Sequence, residues 1–238
     1  TCGNDLEAIV MEPIGNQAPQ AGFLEEVRAI ANRTGAILIF DEVTAAWRLT
    51  SGGAHLLYGV SPDIAVFAKA ISNGYPMAAI IGTGAVMQAA QESFISSTYW
   101  TERIGPAAAL ATIKKHRAHN VSARLIDSGK KIQAIWQNAA KQAGLELSVS
   151  GIPPLAHFDI HTADPQAART LFTQLMLELG FLATNAFYAT YAQTDEDIRL
   201  YGEATREAFE KLARAIESGG VKNLLKGPVA HKGFYRLT

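Results

Sequence analysis

One cysteine, Cys2, stands in the 238 residues, so no disulfide can close within the chain and a reducing compartment, the cytoplasm, is the expected setting. Charge of one sign is lacking as well. The formal net charge is -1, with 18% charged residues, and Lys and Arg are scattered rather than gathered into a stripe. That argues against nucleic acid as a partner. No apolar run approaches the ~20 residues of a bilayer-spanning helix, since candidates such as Ala36 to Phe40 and Ala78 to Ile81 are strand-sized. No membrane partner is expected. The opening Thr1-Cys2-Gly3-Asn4-Asp5 lacks an initiator Met, a basic region and an apolar signal core. It runs almost at once into Ala8-Ile9-Val10-Met11 and reads as the start of a fragment or processed product. What the chain has in quantity is apolar surface: 48% of its residues are hydrophobic, enough for one large core or two small ones.

The first half alternates short apolar runs with amphipathic stretches, the pattern of βα units in a mainly parallel sheet with helices on its faces. Four runs qualify as strands: Glu7 to Met11, Ala36 to Asp41, Ile64 to Phe67 and Ala78 to Gly82. None alternates in polarity, as expected of strands covered on both sides. Between the first two, Phe23, Leu24, Val27, Ile30 and Ala31 recur at helical spacing over Gly22 to Thr34, and Gly35 ends the pattern. From Pro106 the texture becomes helical, over Ala107 to His116 and Ser122 to Ala143. Two β candidates follow, Glu146 to Ser150 and Leu155 to Ile160, the second alternating Leu155, His157 and Asp159 against Ala156, Phe158 and Ile160, so that one face is polar. Further helices are expected at Pro165 to Leu179 and Asp195 to Glu217, the last opened by Thr194 with Asp197 three residues on. The fold class is therefore α/β with a mainly parallel sheet, followed by a smaller α+β part.

In open parallel sheets ligands bind beyond the carboxyl ends of the strands. Glu12 follows the first strand, Asp41 and Glu42 end the second, and Lys69 lies two residues past the third. Neighbours on an extended chain point to opposite faces, so at most one of Asp41 and Glu42 enters a site. Lys69 sits among apolar residues in Ile64-Ala65-Val66-Phe67-Ala68-Lys69-Ala70-Ile71. Burial there would favour a neutral, nucleophilic amine, whereas a stem lying along the sheet edge with its ammonium in water is the bland alternative. A carboxylate at a neighbouring strand end can hold a pyridinium nitrogen, so Asp41 and Lys69 together make the minimum equipment for pyridoxal phosphate. For Asp41 the bland alternative is a helix cap or a surface ion pair.

Four stretches carry a resemblance over nearly the whole chain. They are Ala8 to Pro13; Gly22-Phe23-Leu24 leading through Gly35 to Leu38-Ile39-Phe40-Asp41-Glu42-Val43; Pro62-Asp63-Ile64 to Lys69; and Ser97-Thr98 followed by Gly105-Pro106 and an Ala-rich helix. In order and spacing the chain resembles the class III aminotransferases, most closely the glutamate-1-semialdehyde aminomutase-like branch. The resemblance implies pyridoxal 5'-phosphate as cofactor, a small-molecule amino donor and acceptor, and a homodimer with a shared active site. It also implies that residues 1–118 form the C-terminal half of the cofactor-binding large domain, with residues 119–238 supplying a connecting helix and an α+β small domain. Lys69 would form the Schiff base and shuttle the substrate proton. Asp41 would pair with the pyridine nitrogen, Val43 would pack on the ring, and Thr98 would reach across the dimer to the partner's cofactor phosphate.

Departures from the family pattern are local. Where the family often reads Asp-Glu-Val-x-Thr-Gly-Phe-Arg, this chain has Asp41-Glu42-Val43-Thr44-Ala45-Ala46-Trp47-Arg48, a turn poorer in glycine and expected to differ in geometry. The stretch Ile14 to Gln20 is shorter than in the aminomutases, and Asn185-Ala186-Phe187-Tyr188 lacks their Phe-Glu pair. The family's Gly-Ser/Thr phosphate cup and ring-stacking aromatic are not among these residues. A non-catalytic fragment or binding module is therefore an alternative, as is a relative that racemises or decarboxylates. Gly82-Thr83-Gly84 reads as a plain turn, His116, His119, His157 and His161 as solvated side chains, and Trp47, Trp100 and Trp136 as packing residues, with Tyr99 and Trp100 flanking Thr98.

Overall fold

The computed structural model describes residues 5–15, 17–231 and 233, so Cys2 lies outside the described residues. The chain divides into two compact units, residues 1–124 and 125–238.

In the first unit, strands β1 (Ala8–Met11), β2 (Ile37–Asp41), β3 (Ile64–Phe67) and β4 (Ala79–Gly82) lie side by side in chain order. The pairs β1–β2 and β2–β3 are parallel and β3–β4 is antiparallel. The difference follows from the connections. Helix α1 (Phe23–Thr34) carries the chain back across the sheet between β1 and β2. Between β3 and β4 there is only a short 3-10 turn at Lys69–Ile71, too little for a parallel crossover. Gly35 closes α1 at φ 75°, a conformation that is strained for any residue with a Cβ.

Leu24 and Ala31 of α1 pack on Leu38 and Phe40 of β2. On the same face, Ala65 and Phe67 of β3 meet Ala109 of helix α3 (Ile104–Ala118). The opposite face is different. Ile37, Ile39, Ile64 and Val66 are half-buried there, and Val10 and Ile80 are 66% and 59% exposed. The expected cover on both faces is thus met on one only, because α1 and α3 both contribute to the Leu38–Phe67 side. The apolar residues are present without an element among the described residues to bury them. Gly82-Thr83-Gly84, expected as a turn, leads into a short helix α2 (Gly84–Gln88).

The second unit joins helix α4 (Val121–Ala143, which begins in the first) to strands β5 (Leu147–Ser150), β6 (Leu155–Ile160) and β7 (Ala186–Tyr188), paired antiparallel in that order. Helices α5 (Pro165–Glu178) and α6 (Asp195–Glu217) complete it. The alternation expected in β6 is seen: Ala156, Phe158 and Ile160 are buried. Phe158 is the hub, with ring centroids 4.9 Å from Trp136, 5.1 Å from Phe172 and 5.5 Å from Phe209, all edge-on. The Trp136 indole N–H donates to Tyr201 Oη at 2.8 Å, so this buried polar group is satisfied. Thr194 opens α6 with a complete capping box to Asp197, as its spacing predicts.

Candidate active site

Asp41 is the last residue of β2 and pairs in register with Val66 of β3, so Lys69 lies three residues beyond Asp41's neighbour on the adjoining strand. The Glu42 N–H donates to Val66 O at 2.9 Å and extends that pairing into the loop. Asp41 Oδ1 then accepts the Val43 N–H at 2.9 Å, bending the chain. Its Oδ2 has no hydrogen-bond partner among the described residues. Val43 and Asp41 are both half-buried.

Lys69 is exposed, so of the two alternatives for this segment its amine follows the one turned to water rather than the one buried among apolar neighbours. Its apolar neighbours Ala65, Phe67 and Ile71 point into the core, while Lys69 itself takes φ 50°, left-handed for a non-glycine residue, and turns outward. Such backbone outliers cost of order 1 kcal/mol and gather where function needs a fixed side chain. Nζ donates to Thr44 Oγ1 at 2.7 Å.

Glu42 faces the other way, as neighbouring strand residues must, and is fully buried. Its carboxylate accepts three donors: Ala54 N at 2.8 Å, His55 N at 2.9 Å and His55 Nδ1 at 2.7 Å. Those bonds offset the cost of removing a carboxylate from water. Gly53 makes the clasp possible. A Cβ there would collide with the His55 ring and stand 2.9 Å from Glu42 Oε1.

The glycine-poor turn is closed by other means. Trp47 takes φ 57°, and its N–H donates to Gly52 O at 2.9 Å. Its ring packs edge-on against Phe67 at 5.3 Å. His116 of α3 reaches the turn from below: Nε2 lies 3.1 Å from Trp47 O, and Nδ1 lies 2.7 Å from Ser51 Oγ. A carbonyl only accepts, so Nε2 carries the hydrogen and Nδ1 of the neutral ring accepts from the Ser51 hydroxyl. Burial pushes the His116 pKa below its ordinary value, against the Trp47 carbonyl bond, which pulls it up. The expected solvated role of His116 is therefore wrong; it is a buried strut. His157 is likewise engaged, with Nε2 2.8 Å from Ser150 Oγ. No group of His, Cys, Asp and Glu among the described residues is arranged to hold a metal.

Thr98 lies in an exposed segment between α2 and α3. Ser97 Oγ accepts the Tyr99 N–H there at 3.2 Å, and among the described residues no hydrogen bond joins Thr98 to Asp41, Val43 or Lys69. Trp47 and Trp136 pack as expected, but Trp100 is 67% exposed, and Tyr99 and Phe94 of the same segment are exposed as well. Thr44, Glu42 with His55, and His116 with Ser51 were not legible as a set. They meet their partners across 25, 13 and 65 positions of sequence, and no periodicity reports such contacts.

A mainly parallel sheet whose carboxyl ends present an acid and an amine, in a chain that continues as an α+β unit, defines an α/β protein of the class whose ligands bind beyond the strand ends. The family model for aminotransferase class III matches residues 1–209, and the chain belongs to that family. It is 31% identical over 227 residues to a 3-aminobutyryl-CoA aminotransferase of Cloacimonas acidaminovorans, covering 90% of this chain and 54% of that protein. To a glutamate-1-semialdehyde 2,1-aminomutase of Pelotomaculum thermopropionicum it is 33% identical over 229 residues, covering 87% and 53%. Among solved structures it is similar to the FumI protein of Sphingopyxis sp. MTA144 in its PLP internal aldimine form, with a TM-score of 0.84, 26% identity, and 90% and 54% of the two chains covered. The α/β fold and the family expected from the sequence are both borne out. The chain spans about half the length of the curated relatives it matches. No helix among the described residues is long and apolar enough to cross a membrane.

Proposed function

We propose that this chain is the part of a pyridoxal-phosphate-dependent enzyme that carries the catalytic lysine, and that the enzyme moves an amino group between small molecules, as an aminotransferase or a 2,1-aminomutase. Residues 1–118 then serve as the C-terminal half of the cofactor-binding domain and residues 119–238 as connecting helix and small domain. Bound pyridoxal phosphate supplies an aldehyde that takes up amines and a ring that withdraws electrons from the substrate carbon. Lys69 would supply the amine for that aldehyde and, when free, would carry the proton to and from the substrate carbon. Asp41 would hold the protonated ring nitrogen, Val43 would pack on the ring, and Thr98 would donate to the phosphate bound by the partner in a cytoplasmic homodimer.

The observation that carries this reading is the pairing of the two strand ends. Asp41 keeps one carboxylate oxygen without a donor among the described residues, and Lys69, three residues beyond the strand partner of Asp41, is exposed and has no carboxylate partner among them. These residues fit the cofactor: an acceptor for a pyridinium N–H, an amine for an aldehyde, and a branched apolar side chain for the ring face. The test is to mix the full chain with pyridoxal phosphate, follow the visible absorption of the Schiff base, reduce with borohydride and map the modified lysine by mass spectrometry. Label on Lys69, abolished in Lys69→Ala, is expected. Label on other lysines alone, or none, overturns the reading.

A further inference from the structure

Of the groups around this site, Thr44 is the one whose contact has no evident structural purpose. Its hydroxyl accepts from Lys69 Nζ at 2.7 Å, across 25 positions of sequence, on a half-buried residue. A threonine placed only to shape the turn would bond to backbone. Here the turn is already shaped without it. Val43 N is held by Asp41 Oδ1, Ala46 N by Glu42 O at 3.0 Å, and Trp47 by Gly52 and His116.

The two partners differ in freedom. Thr44 stands on a turn pinned from both sides, and its β-branched side chain is stiff at χ1. Lys69 has four rotatable carbons and an exposed head, so without a partner its amine would sample many positions. The left-handed backbone at Lys69, φ 50°, aims the stem outward, and the Thr44 hydroxyl is where the amine comes to rest. A hydroxyl suits this task better than a carboxylate. It accepts from an ammonium or a neutral amine, and it does not fix the lysine's charge by forming an ion pair.

Resting on the reading of Lys69 given above, we propose that Thr44 is a positioning residue for the Lys69 amine. It holds Nζ at the place from which the amine attacks the cofactor aldehyde, and to which it returns when a substrate amine displaces it. The attack forms a C=N bond and expels the aldehyde oxygen as water with both amine hydrogens, so no further reactant is needed.

The experiment compares wild type, Thr44→Val and Thr44→Ser in the full chain, with pyridoxal phosphate as the probe and the rate of Schiff-base formation as the readout. Valine keeps the shape and loses the hydroxyl. The rate at Lys69 is expected to fall about three- to tenfold in Thr44→Val, the effect of one hydrogen bond, and to recover in Thr44→Ser. Hydrogen exchange in β2 and β3 should be the same in all three proteins. An undiminished rate in Thr44→Val overturns the proposal, and so does a loss that serine fails to recover, which would assign the effect to the methyl group. Absence of Lys69 label in wild type overturns the functional reading itself, and the proposal with it.

Discussion

The two units spend their apolar residues differently. Residues 125–238 gather Trp136, Phe158, Phe172 and Phe209 into one continuous core with three helices and a three-stranded sheet around it. Residues 1–124 hold two smaller clusters, one under α1 and one under α3, and leave Val10, Ile80, Ile81, Phe94, Tyr99 and Trp100 exposed. The unit with the closed core carries none of the four residues assigned to the cofactor. The open unit carries all of them, together with left-handed backbone at Trp47, Lys69 and Asn73. Strand ends and strained turns keep polar groups turned outward.

The sharpest way to break this contrast is to remove its hub. Phe158→Ala is expected to cost about 3–5 kcal/mol, seen as faster amide exchange throughout α5 and α6 and a lower denaturation midpoint. A cost under about 1 kcal/mol would show that the second core is not organised around that ring. In the first unit the corresponding strut is His116. His116→Ala leaves the Ser51 hydroxyl and Trp47 carbonyl without their partner and should cost about 2 kcal/mol, with exchange rising in the 47–55 turn.

The same residue gives a pH dependence whose sign is fixed. Its pKa in the folded chain lies below the ordinary value of 6.5 because it is buried. Below that value the unfolded chain takes up a proton that the folded chain resists. The stability His116 contributes is therefore complete above pH 6.5 and declines as the pH falls beneath it. Denaturation curves across that range should flatten in His116→Ala; an unchanged slope would mean that other groups cause it. The smallest effect belongs to the α6 capping box, where Thr194→Ala should cost about 1 kcal/mol, confined to exchange in the first turn of that helix.

Much of the fold was legible. Helix α6 runs Asp195–Glu217 as its capping signal and periodicity predict, and β3 runs Ile64–Phe67 as expected. These elements announce themselves locally, through a cap, a period or a glycine such as Gly35. The three residues Ala186–Tyr188 of β7 were missed, because so short a strand exists only by pairing with β6. His116 was misjudged for a related reason. Its sequence neighbours Lys115 and Arg117 are polar, and only the approach of Trp47 and Ser51 buries it.

The sequence by itself determined most of the element types, the family, and the strand ends at which Asp41 and Lys69 fall, since these follow from local pattern and the order of motifs. Only the tertiary structure decided what those residues touch. It placed Nζ of Lys69 on Thr44, left one oxygen of Asp41 without a donor among the described residues and buried Glu42 under Gly53. It also covered one face of the first sheet and not the other. The physical reason is range. Propensity and period act over a few neighbouring residues, while a hydrogen bond or a buried face depends on which distant segment arrives there.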